Sequence, residues 1–169
     1  MGFLALFGEN DMIDITDRVA DAIKDGGIKD GIVTIFVSGS TAAVATIEYE
    51  PGLRKDFPAM LDRVAPKAIE YEHDNTWHDG NGHSHVRASL IGPSLTVPFK
   101  DKRLMLGTWQ QIVLMEMDTR ARARNYFANN GRIIRTPTQT ISRHIIYHSC
   151  GREANGDPPT HQYMLFPIV

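Results

Sequence analysis

Arg103-Leu104-Met105-Leu106-Gly107-Thr108-Trp109-Gln110-Gln111-Ile112-Val113-Leu114-Met115-Glu116-Met117-Asp118 is the stretch on which the fold turns. From Leu104 to Met117 it reads as a strand, and successive side chains on a strand point to opposite faces. Ile112, Leu114 and Glu116 then share one face, while Val113, Met115 and Met117 share the other, so both faces are largely covered. Glu116 is then either a polar group inside an apolar environment or a rim carboxylate facing solvent.

Working outward, Ser94–Phe99 reads as a strand joined to this one by the tight Lys100–Arg103 connection, which makes the two a hairpin. Val86–Ile91 reads as a further strand. The β-branched run Ile32–Val37, entered through the Asp30-Gly31 turn, reads as a central strand, and Val44–Tyr49 as another. Met1–Gly8 reads as a first strand or a docked terminal segment. Ile15–Gly27 has helical signals: Val19 and Ile23 lie four apart, Thr16 or Asp14 can accept from the first turn, and Gly26 can take a left-handed exit. Leu53–Val64 is the second helix, with Phe57, Leu61 and Val64 at helical spacing, Asp56 as cap and Pro58 in the first turn.

A chain of 169 residues can bury one substantial core. Its 18 Lys plus Arg against 20 Asp plus Glu argue against bulk attraction to nucleic acid or an anionic membrane. No apolar stretch is long enough to span a bilayer, which places the protein in the cytoplasm. Cys150 is the lone cysteine, so an intrachain disulfide and a several-cysteine zinc site are both excluded, and its surroundings make a weak case for a nucleophile. The Gly-x-Gly-x-x-Gly, Walker and Gly-x-Ser-x-Gly patterns are missing, which removes support for a dinucleotide site, a P-loop or a serine hydrolase elbow.

The polar centre is Glu72–His85, whose glycines and polarity deny it a regular period and make it a loop. His83 and His85 are two apart and face one side of an extended backbone, with His78 and Asp79 able to fold back across the Gly80 bend. Three chemistries fit: a divalent metal of open identity held by His78, His83, His85 and Asp79; a metal-free acid–base or anion site; or structural hydrogen bonding. Trp77 either anchors this loop or stacks on a planar ligand. Arg120, Arg122 and Arg124 alternate, so an extended backbone puts three guanidiniums on one face, where they bind phosphate, pair with Glu116 and Asp118, or coat a subunit surface.

Three blocks resemble the YjbQ family, often described as secondary thiamine-phosphate synthases, over residues 13–127. They are Gly39-Ser40-Thr41-Ala42-Ala43 with the extended segment that follows, Asn81-Gly82-His83-Ser84-His85 continuing to Gly92, and the opening quotation from Arg103 to Asp118. The resemblance implies a single α+β domain, a mixed, largely antiparallel sheet assembly packed with helices, arranged as a homotrimer with polar sites near subunit boundaries. It also implies weak thiamine-phosphate synthase activity on small phosphorylated metabolites. Carried onto this chain, the matching polar positions are Thr41, Asn81, His85, Trp109, Gln110, Glu116 and Asp118, with His73 before the loop. Where the family has a histidine ahead of two threonines, this chain has Gly39 and Ser40. After Asp118 it departs again, with Thr119 and Arg120 before Arg122 and Arg124. Residues 132–169 extend beyond the family's usual end, as an appendage packing on the domain or on a neighbouring subunit, from which His144 or His148 could refill the lost position.

The expectation is a transferase-like enzyme. His85, Asn81, Glu116 and Thr41 form its catalytic group, and His73, Trp109, Gln110, Arg122 and Arg124 contact substrate. The alternatives are a metal-assisted hydrolase and a noncatalytic metabolite-binding or structural oligomer.

Overall fold

The structure, a computed structural model, describes residues 2–6 and 8–132, all within one unit spanning residues 1–134. The expectations placed on residues 133–169, including Cys150, His144, His148 and packing on a neighbour, lie outside the described residues.

Among the described residues, eight strands and four helices follow in the order β1 (Gly2–Leu6), β2 (Asp11–Asp14), α1 (Thr16–Asp25), β3 (Gly31–Val37), β4 (Ala42–Ile47), α2 (Leu53–Val64), α3 (Glu72–Trp77), α4 (Gly82–Ile91), β5 (Ser94–Lys100), β6 (Arg103–Leu104), β7 (Gln111–Glu116) and β8 (Arg122–Arg132). The strands form a five-stranded sheet, β1-β8-β3-β5-β6, and a three-stranded sheet, β2-β7-β4. Every strand pairing among the described residues is antiparallel. The α+β class expected from the resemblance is thus the class observed.

The alternation of β7 explains the layering. Ile112 and Leu114 join Ala42 and Val44 in a core shared with Val33, Ile35, Val97 and Phe99 of the large sheet and with Val19 and Ile23 of α1. Val113, Met115 and Met117 face the other way, onto Leu61 of α2 and Ala88 of α4. Two apolar faces on one strand therefore glue a sheet on one side and helices on the other.

Several local expectations need correction. The run from Leu104 to Met117 is not one strand: Gly107 and Gln110 close a turn, with the Gln110 side chain accepting from the Gly107 amide at 2.8 Å, and the chain passes from one sheet to the other. The β5–β6 hairpin does form, with Asp101 and Lys102 both at positive φ as its two-residue turn demands. At α1, Asp14 accepts from the Thr16 amide, whereas Gly26 leaves the helix extended at φ −71°. Thr16 itself accepts from the Ile112 amide at 2.8 Å and so ties α1 to β7. The start of α2 is held by Glu50, which accepts from the amides of Gly52 and Leu53; Asp56 is not the cap, and Pro58 lies beyond the first turn. Val64 is 58% exposed, because the buried contact of α2 is Leu61. No helix among the described residues is long and apolar enough to cross a membrane.

Candidate functional site

The histidine segment is two helices, not a loop, and Val86–Ile91 is the second half of α4 rather than a strand. Helix α4 hid its period because its buried face is polar: His83, Ser84 and Arg87 are buried beside Ala88, while Val86 and Leu90 are exposed. Polar groups can line a buried face only when they are bonded, and these are. Arg87 donates from Nε and Nη2 to the Ala65 carbonyl, from Nη2 to Asp62 at 2.6 Å and from Nη1 to Glu9 at 3.0 Å. Glu9 also meets His83 at 3.2 Å and Lys67 at 2.6 Å. Glu9 and Arg87 are therefore structural anchors that periodicity could not reveal; a fully buried arginine betrays itself only through its partners.

The helical backbone separates His83 from His85. His83 turns to Glu9, whereas the His85 ring stacks on His73 of α3, centroids 4.2 Å apart and planes tilted by 41°. His73 Nε2 lies 3.6 Å from Asp79. With the Asn81 carboxamide assigned so that its nitrogen faces the surrounding acceptors, it donates to Asp79 Oδ1 at 3.0 Å and to His73 Nε2 at 3.2 Å. Gly82 lets the two helices meet this closely, since a Cβ there would stand 2.5 Å from the Tyr71 Cβ, and its amide donates to Asp74 at 2.8 Å. Burial, and then the neighbouring His73 ring, hold the pKa of His85 below its ordinary 6.5; Asp79, Asp118 and Asp74 pull it upward without prevailing. The imidazole is accordingly neutral at pH 7, equipped with one donor and one acceptor.

Asp118, within electrostatic reach of His85, opens a second network at the end of β7. Burial pushes its carboxyl up, but the hydrogen bonds from the Arg122 side chain and the Arg120 amide, the Arg122 charge and the Thr41 hydroxyl outweigh it and hold the group below the ordinary carboxylate range. Arg122 Nε donates to it at 2.7 Å. Thr41 donates to Asp118 at 3.3 Å and accepts from Arg124 Nη2 at 2.6 Å. Arg124 reaches across from the other sheet to grip Glu116 with two bonds, Nε to Oε2 at 2.6 Å and Nη2 to Oε1 at 2.7 Å. Glu116 is fully buried, so the interior reading of this carboxylate holds and the rim reading falls. Of the three readings for the alternating arginines, pairing with Glu116 and Asp118 is the arrangement made by Arg124 and Arg122.

The expected site residues are thus partly gathered. His73, Asp79, Asn81 and His85 form one cluster, and Thr41, Glu116, Asp118, Arg122 and Arg124 form a network beside it. His78 lies exposed at the left-handed exit of α3, at φ 55°. Among the described residues, no three His, Cys, Asp or Glu side chains are arranged to hold a metal ion, so the ligand set His78, His83, His85 and Asp79 is not assembled. Trp109, 68% exposed, and Gln110 sit in the β6–β7 turn, beyond the end of β7 opposite Glu116, with the roughly 17 Å length of the strand in between. Trp77 is 70% exposed, so the reading of it as a buried anchor of the loop falls.

The departure at Gly39 has a structural counterpart. Gly39 adopts φ +148°, and a Cβ built on it would lie 2.5 Å from Arg124 Nη1. The guanidinium fills the space that a side chain at residue 39 would need.

Residues 5–131 match the family described as UPF0047 protein YjbQ-like. The UPF0047 protein of Methanothermobacter thermautotrophicus is 39% identical over 108 residues, covering 64% of this chain and 74% of that one. The UPF0047 protein YugU of Bacillus subtilis is 35% identical over 111 residues, covering 64% and 81% respectively. A solved structure of a YbjQ-like protein of unknown function from Sulfolobus solfataricus superposes with a TM-score of 0.66 at 31% identity, over 74% of this chain and 91% of that one. A structure from Clostridium acetobutylicum, named as yjbq/upf0047 family, gives 0.65 at 32% identity, over 76% and 100%. Sequence blocks, two-sheet architecture and relatives agree: this chain belongs to the YjbQ (UPF0047) family.

Proposed function

We propose that the protein is a cytoplasmic enzyme acting on a small phosphorylated metabolite, coupling two heteroaromatic substrates in thiamine-phosphate synthase-like fashion with release of diphosphate. The observation that carries this reading is one His85 imidazole, kept neutral by burial and by His73, within the field of an arginine–carboxylate network. Neutral imidazole and oriented guanidiniums are the equipment for releasing a phosphorylated leaving group near neutral pH.

In the coupling, the bond between the methylene carbon and the diphosphate oxygen breaks and its electron pair leaves with the diphosphate. The lone pair of the thiazole nitrogen forms the new carbon–nitrogen bond, so no protein nucleophile is required. The demand on the protein is to stabilise the departing anion, met by the outer nitrogens of Arg122 and Arg124 and by a hydrogen bond from the neutral His85 imidazole. Asn81 and Asp79 fix the His73 ring on which His85 stacks. Glu116, with both oxygens engaged by Arg124, acts through that arginine rather than on substrate. Among the described residues no three His, Cys, Asp or Glu side chains make a metal-ligand set, so the leaving group's charge falls to the arginines and His85. In the homotrimer that the family resemblance implies, Trp109 and Gln110 contact substrate from a neighbouring subunit, since one chain holds them at the far end of β7.

The test is direct incubation with the pyrimidine diphosphate and the thiazole phosphate, with and without chelator, followed by mass spectrometry. Coupled product is expected, and His85→Gln should lower kcat by about 10²–10³-fold. Phosphate release without coupling, abolished by chelator, would put metal-assisted hydrolysis in its place. Neither product would leave a noncatalytic binding or structural oligomer.

A further inference from the structure

We propose that Gly39 and Arg124 together form the seat for a phosphoryl group, with the absence of a side chain at residue 39 as the feature that selects it; this rests on the polar site being a ligand site. Arg124 is 9% exposed and clamped along one side: Nε and Nη2 are committed to Glu116, and Nη2 also to Thr41. Its remaining nitrogen, Nη1, makes no hydrogen bond among the described residues and lies where a residue-39 Cβ would stand, 2.5 Å from that position. Gly39 is itself exposed. A guanidinium edge with free donors is thus presented past a bare stretch of backbone at the surface.

Three features make that edge a recognition element rather than a loose surface charge. The clamp leaves little side-chain freedom to be lost when a ligand binds. The planar fork presents its donors in one direction, which suits the oxygens of a phosphoryl group. Arg122 stands two residues along β8, bonded to Asp118 through Nε alone among the described residues, so its terminal nitrogens can reach a second oxygen. Glu116 and Asp118 balance these two charges, which makes the seat selective by geometry instead of by bulk attraction.

Residue 39 decides whether this edge exists. Any Cβ there overlaps Nη1 at 2.5 Å and approaches Cζ at 3.2 Å, so a side chain at residue 39 and this placement of Arg124 exclude one another. The experiment is calorimetric titration of the full chain with inorganic diphosphate, and separately with orthophosphate, at constant ionic strength. Wild type, Gly39→Ala, Arg124→Lys and Val64→Ala are compared, each first checked for cooperative unfolding. Wild type is expected to bind diphosphate, Gly39→Ala and Arg124→Lys to bind at least about tenfold more weakly, and Val64→Ala, at an exposed position on α2 outside the polar site, to bind as wild type does. Arg124→Lys needs no change at the strained φ of residue 39 and decides the matter if the alanine variant does not fold. Equal binding by wild type and Arg124→Lys, or no binding by wild type, overturns the seat. The coupling assay fails or succeeds separately: variant-sensitive diphosphate binding without coupled product would keep the seat and discard the synthase reading.

Discussion

Arg124 and Glu116 sit on different sheets, and their two-pronged bond closes the end of the core. A buried pair of this kind contributes little relative to apolar packing, but removing one partner strands the other. Arg124→Ala should therefore cost about 3–5 kcal/mol in chemical denaturation, most of it from leaving the fully buried Glu116 without its cation. His85 gives a different kind of prediction. Its folded-state pKa lies below the unfolded 6.5, so the unfolded chain takes up the proton first. Stability from this group is complete above about pH 6.5 and falls as pH drops through that value toward the lower folded one. A denaturation series from pH 7.5 to 5 should show that decline, and His85→Gln should flatten part of it. At this scale the sequence was informative wherever alternation spoke: it put Glu116 on an apolar face and Arg120, Arg122 and Arg124 together on one face. It was silent on Glu9, which reads as a mere interruption of an apolar terminus until Arg87, Lys67 and His83 are seen converging on it.

Strands with clean alternation and helices with an apolar stripe were legible, and α4 was not. Its buried positions carry His83, Ser84 and Arg87 and its outer face carries Val86 and Leu90, the reverse of the usual pattern, so periodicity argued for anything but a helix. The strand expected over Leu104–Met117 failed for another reason. Its composition is continuous, and only the Gly107–Gln110 turn chemistry divides it between two sheets. Two substitutions test these elements. Gly82→Ala would drive a methyl group into the Tyr71 Cβ and should cost about 1–3 kcal/mol, while pushing α3 from α4 and separating His73 from His85. On α2, Leu61→Ala should cost about 2–5 kcal/mol, whereas Val64→Ala, at an exposed position three residues on, should stay within about 0.5 kcal/mol. Thermal or urea unfolding of the pair reads the difference directly.

Across the whole described unit, β7 is the organising strand: one face meets the large sheet and α1, the other meets α2 and α4, and its last residues lead into the polar network. The large sheet supplies Arg122 and Arg124 through β8, while α3 and α4 supply the histidines. A site of this kind assembles only when both layers are in place, which is why neither its cluster of four nor its network of five could be read from spacing. The central claim is that the His73–His85 cluster and the Asp118–Arg124 network act as one electrostatic unit. Following the His85 ring protons by NMR across a pH titration, in wild type and in Asp118→Asn, tests it most directly. Removing the Asp118 charge should move the His85 midpoint further below its wild-type value. A midpoint that stays put or rises would show that the two halves do not share a site.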